Sequence, residues 1–167
     1  MASFEPAVQL TLQHEGGFFH NRKTGEIVNH GITLKLVRDT RFKPAADEQY
    51  IRDLTGQEAS AIYRRYFWDR YHIGEIGNQE LANKVFDLTV NMGPAALKLL
   101  QEALHGLGGG GAIDGILGPE SIGQINALDA GRLLAQYRER ARQRYEEIAQ
   151  NPLLAGNLEG WLRRLDA

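Results

Sequence analysis

Cysteine is absent from the 167 residues, so the fold needs no disulfide, and neither a thiolate metal site nor a Cys–His nucleophile can form. An excess of positive charge is missing too. Lys and Arg number 19 against 21 Asp and Glu, a formal charge of −2. That balance argues against nucleic acid as a partner, because phosphate neutralisation needs a basic surplus. No apolar run approaches the ~18 residues of a membrane span, so no membrane insertion is expected. The opening Met1-Ala-Ser-Phe-Glu-Pro6 has neither a positive n-region nor an apolar h-region. The expectation is synthesis in the cytoplasm without a Sec signal, with release by some other route. His14, His20, His30, His72 and His105 form no His-x-x-x-His and no carboxylate-spaced ligand set, so no metal and no cofactor is expected. There is no Gly-x-Ser-x-Gly elbow, and Gly106–Gly111 lacks the Gly-Lys-Ser/Thr ending of a phosphate loop.

What is present is helical periodicity cut by glycine. The length suits one compact domain that buries ~70% of its unfolded surface. Ser3 can cap a first helix with Pro6 in its first turn, ended by Gly16-Gly17. Residues 18–33 are turn-rich and predict a small β-hairpin or long loop. Thr55-Gly-Gln-Glu58 is a capping box, opening a helix with Ala59, Ile62, Tyr63, Tyr66 and Phe67 on one face. A more apolar helix over about 78–92 is expected to be central. Gly93-Pro94 restarts the chain, Gly118-Pro119 begins a short helix, Asp129 caps a long one, and Asn151-Pro152 introduces the last. The fold class is mainly α with a minor β element near residues 18–33.

Glu15 is the most informative residue. At ~100° per residue it continues the stripe of Phe4, Val8 and Leu12, in the last helical turn. The negative helix end penalises a carboxylate there by ~0.3–1 kcal/mol, well under one pKa unit, so burial would have to be the main cause of any larger shift. A carboxylic acid that keeps its proton is what general-acid cleavage of a glycosidic bond requires. The plainer alternative is a frayed helix end whose Glu bonds a nearby Arg. Asn83, Asp87 and Asn91 recur at i, i+4 and i+8 on the central helix, and suit either sugar hydrogen bonding or internal bridges. Of the aromatics from Tyr63 to Tyr71, most read as core. Trp68 falls off the stripe and is the better candidate to meet a ligand. Arg132, Arg138, Arg140, Arg142 and Arg144 are interleaved with Glu139, Glu146 and Glu147, and read as a solvated face that can locally meet an anionic glycan.

His14-Glu-Gly-Gly-Phe18 followed by Asn29-His-Gly-Ile-Thr33 resembles the signature of glycoside hydrolase family 108, a group of lysozyme-like muramidases. The resemblance continues through Ile62–Tyr71 and Val85–Gly93, and then through Asp114–Pro119 and Asn157–Leu162, which look like the helical peptidoglycan-binding region accompanying this family. It implies a lysozyme-like helical fold, with a catalytic region at 1–92 and a peptidoglycan-binding-like region at 93–167 packed into the same globule. It also implies peptidoglycan glycan strands as partner, and cleavage of the β-1,4 bond from N-acetylmuramic acid to N-acetylglucosamine.

Glu15 matches the catalytic acid, and Thr33 the threonine that by analogy holds the attacking water. Asn29, Trp68, Asp87 and Asn91 are the expected substrate-binding residues. Many relatives carry an Asp shortly after Glu-Gly-Gly. Here the stretch from Phe19 to Glu26 is one residue shorter, with Asn21 at that position. An amide is neither base nor nucleophile. Either Glu26 takes that part, or Asn21 and Thr33 orient water and one acid suffices. A lytic transglycosylase relying on Glu15 alone, and a non-catalytic wall-binding protein, are the rival expectations. A phage endolysin released through a holin and a secretion-system effector, the latter with an immunity protein as partner, both fit.

Overall fold

The structure, a computed structural model, describes residues 1–22 and 24–167, and His14 in its backbone alone; Lys23 of the shortened loop and the side chain of motif residue His14 thus lie outside the described residues. Helix α1 (Phe4–His14) turns Phe4, Ala7, Val8 and Thr11 inward, the face its periodicity predicts. It ends one residue earlier than the glycines suggested. Glu15 has left the helix with an extended ψ of 134°, while its N–H still bonds Thr11 O at 3.1 Å. The Ser3 hydroxyl does not cap α1. Instead the Ser3 N–H donates to Gln79 Oε1 at 2.7 Å, and Gln79 Nε2 donates back to Ser3 O at 2.8 Å.

The expected hairpin is a three-stranded antiparallel sheet in the order β1 (Phe19–Asn21), β2 (Glu26–Asn29), β3 (Ile32–Thr33). The β2–β3 link is only His30-Gly31, with φ of 50° and 73°, because Asn29 pairs directly with Ile32. Two consecutive positive φ values are the signature of the primed turn that matches strand twist, and glycine at the second position carries it without penalty. Two short helices that no periodicity announced, α2 (Leu34–Asp39) and α3 (Glu48–Arg52), pack against the sheet. Both begin at side-chain caps, Thr33 and Asp47.

Helix α4 (Gly56–Tyr63) opens on the predicted capping box. It then widens into a π turn at Arg64–Trp68, closed by the Asp69 N–H on Arg64 O at 2.8 Å. That turn corrects the expectation for Trp68. A regular helix would rotate position 68 ~140° away from Tyr63, whereas the extra residue in the turn brings the indole inward. Trp68 is 5% exposed and meets Phe4 and Phe86 edge-on, with centroids 5.6 and 5.7 Å away.

Helix α5 (Gln79–Met92), capped by Asn78, is central: α1, α6 (Pro94–Gly106) and α8 (Ala130–Ala149) all pack on it. Helix α7 (Pro119–Ala127) starts at the predicted proline, and Asp129 caps α8 as expected. The last helix, α9 (Leu158–Asp166), begins later than Asn151-Pro152 implied, after a single 3-10 turn at Ala155–Asn157. One continuous core runs from Phe4 and Ile32 through Phe86 and Leu100 to Tyr145 and Leu165, so the chain's two halves share it. Among the described residues no helix is long and apolar enough to cross a membrane.

Candidate active site

Glu15 stands where three elements meet: the end of α1, the β2–β3 turn and the C-terminal helix. Its side chain is 19% exposed. The turn comes up against it because the His30 N–H donates to Gly16 O at 3.1 Å. Gly31 lies so close that a Cβ there would fall 2.7 Å from the Glu15 carboxyl carbon and would also collide with the Tyr63 hydroxyl. Glycine at position 31 thus answers two demands at once, a left-handed backbone and room for the carboxylate. Tyr63, wholly buried, donates its hydroxyl to His30 O at 2.9 Å. Burial first, and then the charge of Glu15, push its phenol well above the ordinary tyrosine value. It holds the turn as a neutral donor.

The dominant neighbour of Glu15 is a cation, although the residue continues an apolar helix face. Arg164 of α9 donates from Nη1 to Glu15 Oε1 at 2.9 Å. The same guanidinium grips Asp87 of α5, with Nε at 3.1 and 3.0 Å from Oδ1 and Oδ2 and Nη2 at 2.9 Å from Oδ1. Arg164 and Asp87 are 12% and 5% exposed. Burial works against the arginine's charge, but Asp87 and then Glu15 outweigh it and raise Arg164 above its ordinary value. Thr11 Oγ1 adds a bond to Asp87 Oδ1 at 3.3 Å, and Lys84 Nζ donates to Arg164 O at 3.0 Å. The arginine partner of the plainer alternative therefore exists. It comes from 149 residues away, not from a neighbouring turn.

The rest of the expected site divides in two. Register pairs Phe19 with Val28, Asn21 with Glu26, and Val28 with Thr33, so Phe19, Asn21, Glu26 and Thr33 share one sheet face. Glu26 and Thr33 line one cavity of about 470 Å³, together with Lys35, Arg38 and Asp39. Thr33 Oγ1 accepts the Leu36 N–H at 3.0 Å as the cap of α2, which leaves its hydroxyl proton to donate. Asn21 Oδ1 accepts the Thr24 N–H at 3.3 Å across the hairpin loop.

Of the other candidates, Asn29 and Asp87 turn inward, which corrects their expected sugar contacts, whereas Asn91 stays exposed. Asn29 is buried and its amide donates to the carbonyls of Ile51, Arg52 and Leu54 at 3.0, 3.2 and 3.4 Å, tying β2 to α3. Asp87 is occupied by Arg164. Asn91 accepts the Tyr145 hydroxyl at 2.8 Å, and Asn83 accepts from Gln79 at 2.7 Å. Along the polar line of α5, Asp87 and Asn91 reach to α9 and α8, while Asn83 bonds within its own helix. Among the described residues no cluster of His, Asp or Glu could hold a metal.

Sequence reasoning missed three contributors. Arg164 carried a faint signal: it flanks the stripe of Leu158, Trp161 and Leu165, where a charge needs a partner. Gly31 stood inside a recognised motif without a role. Phe19, 58% exposed on the same sheet face as Glu26, was indistinct from Phe18 before the register was known.

Comparison with known proteins agrees with this architecture. Residues 8–93 match the family described as glycosyl hydrolase 108, and residues 95–166 match one described as a "Predicted Peptidoglycan domain". No curated protein matches. The solved structure of SagA from Brucella abortus is similar at 22% identity, with a TM-score of 0.80, covering 98% of this chain and 89% of that one; at this identity the likeness shows the fold. With a family model fitted over more than half its length, the chain belongs to glycosyl hydrolase family 108: it is a glycoside hydrolase of lysozyme-like helical fold, directed at peptidoglycan.

Proposed function

We propose that the chain is an N-acetylmuramidase. It hydrolyses the β-1,4 bond from N-acetylmuramic acid to N-acetylglucosamine, with Glu15 as general acid. The observation that carries this reading is the setting of Glu15, a part-exposed carboxyl group anchored by backbone and cation at the junction of α1 and the sheet. Its proton passes to the glycosidic oxygen as the bond to the anomeric carbon breaks, and the bonding electrons leave with that oxygen. Water then adds to the anomeric carbon from the side of Thr33, whose hydroxyl retains a proton to orient it, and the proton that the water loses restores the Glu15 acid.

Glu26 shares the sheet face with Thr33 and is the nearest alternative base in the pairing pattern, while Asn21, opposite it, supplies an amide that orients and does not ionise. The exposed ring of Phe19 offers a sugar-facing apolar surface beside them. Release to the wall by a holin or a secretion system belongs to the same proposal.

Mass spectrometry of purified peptidoglycan after digestion tests it. Products that gain one water per cleavage, with a reducing N-acetylmuramic acid end, are expected. Anhydro products would replace hydrolysis by transglycosylation, and intact glycan strands would overturn both.

A further inference from the structure

The residue that engages Glu15 most directly lies in the region matched to a peptidoglycan domain, not in the region matched to the glycosyl hydrolase. Its attachment is lopsided. Arg164 makes three short contacts to the Asp87 carboxylate and one to Glu15, so it stays anchored whatever Glu15 does. Helix α5 holds α9 at two points one turn apart, Lys84 on the Arg164 carbonyl and Asp87 on its guanidinium. A mere surface ion pair has no such scaffold.

We propose that Arg164, fixed by Asp87, is a positioning residue for Glu15: it orients the carboxyl group and takes up the negative charge that appears when the proton leaves. The inference rests on the reading of Glu15 as general acid. When Glu15 protonates the leaving oxygen it becomes a carboxylate, and a guanidinium already beside it stabilises that product without rearrangement. When water attacks, its proton restores the acid. Between these steps Arg164 needs no new partner, because Asp87 holds it throughout. The groups facing Glu15 are Arg164 from α9, Asp87 from α5 and the neutral Tyr63 from α4. Lys84 stands behind Arg164, with Arg138 and Asp166 beyond it.

The test is the pH dependence of kcat/KM on purified peptidoglycan for the full chain and three variants. Arg164→Gln removes the cation. It should slow hydrolysis about tenfold or more and move the alkaline limb upward by about one unit, since the acid then gives up its proton less readily. Asp87→Asn removes a negative charge and leaves Arg164 to Glu15, so its limb should move downward. Opposite shifts are what a purely structural pair would not produce.

Because Arg164→Gln strands a buried Asp87, thermal melts accompany each variant, and Arg164→Met/Asp87→Leu removes both charges together. In that double variant the nearer charge dominates, and a smaller upward shift is expected. Folded variants whose limbs stay at the wild-type pH, or shift in one common direction, overturn the proposal. Should Arg164→Gln fail to fold, Asp87→Asn and the double variant decide it. A folded Glu15→Gln that remains active would instead overturn the reading of Glu15 itself.

Discussion

The two matched regions are built in different ways. Residues 8–93 hold the sheet, the π turn at Arg64–Trp68 and the left-handed residues His30 and Gly31, and their helices are mostly short. Residues 95–166 are mainly regular helices with ordinary starts, among them Pro119 and the Asp129 cap. Chemistry-bearing side chains accumulate in the first region because irregular backbone can aim several of them at one point. The second region cannot assemble a cleft alone, yet a rigid helix end is well suited to deliver a single charge to a fixed distance. The two matched regions are thus divisions of the sequence, and the contact of Arg164 with Glu15 crosses between them.

The largest test of that comparison is to separate the regions. Removing residues 93–167 uncovers the buried face of α5 and withdraws Arg164, so the fragment should lose both cooperative thermal unfolding and detectable activity. A fragment that melts cooperatively and digests peptidoglycan would make the regions independent. Next in size is Glu15→Gln, expected to cost at least ~100-fold in rate. Arg164 keeps its Asp87 anchor, so the melting temperature should move by only a few degrees. Gly31→Ala sharpens the contrast, because it disturbs the irregular region alone. A methyl group there meets Glu15 and demands a strained left-handed alanine. Activity should fall by ~100-fold, the scale of a misplaced reacting group, with ~1–2 kcal/mol of stability lost.

The smallest effects separate Thr33 from Glu26. Thr33→Ala should lower the rate about tenfold and stability by ~1 kcal/mol, since its oxygen also caps α2. Thr33→Ser should restore both. Glu26→Gln should cost only a few-fold; a loss near 100-fold would make Glu26 the base.

Legibility followed the same divide. Helices α5 to α8 were readable because Asn78, Gly93-Pro94, Gly118-Pro119 and Asp129 are local signals for local events, whereas Asn151-Pro152 pointed too early for α9. In the N-terminal region the capping box at Thr55 and the inward stripe of α1 were equally plain. Helices α2 and α3 were not, since five or six residues hardly complete an apolar period. Trp68 misled for a definite reason: its side was inferred from a constant 100° step, and the π turn breaks that step.

The candidate site was legible only as far as it was local. Glu15, and the shared face of Asn21, Glu26 and Thr33, follow from short-range spacing once the register is given. Asn29 is polar because buried carbonyls need a donor, a requirement that sequence does not distinguish from sugar binding. Nothing in local pattern pairs residue 15 with residue 164.

That separation of 149 positions has a kinetic meaning. Closing so long a loop carries an entropic cost that is repaid only after the intervening helices have condensed. Glu15 is therefore expected to gain its counter-ion only after α9 has docked on α5. A chain caught partway, whether newly made or transiently opened, presents the carboxyl group without the guanidinium. If Arg164 positions Glu15, the capacity to hydrolyse peptidoglycan arrives with the finished fold.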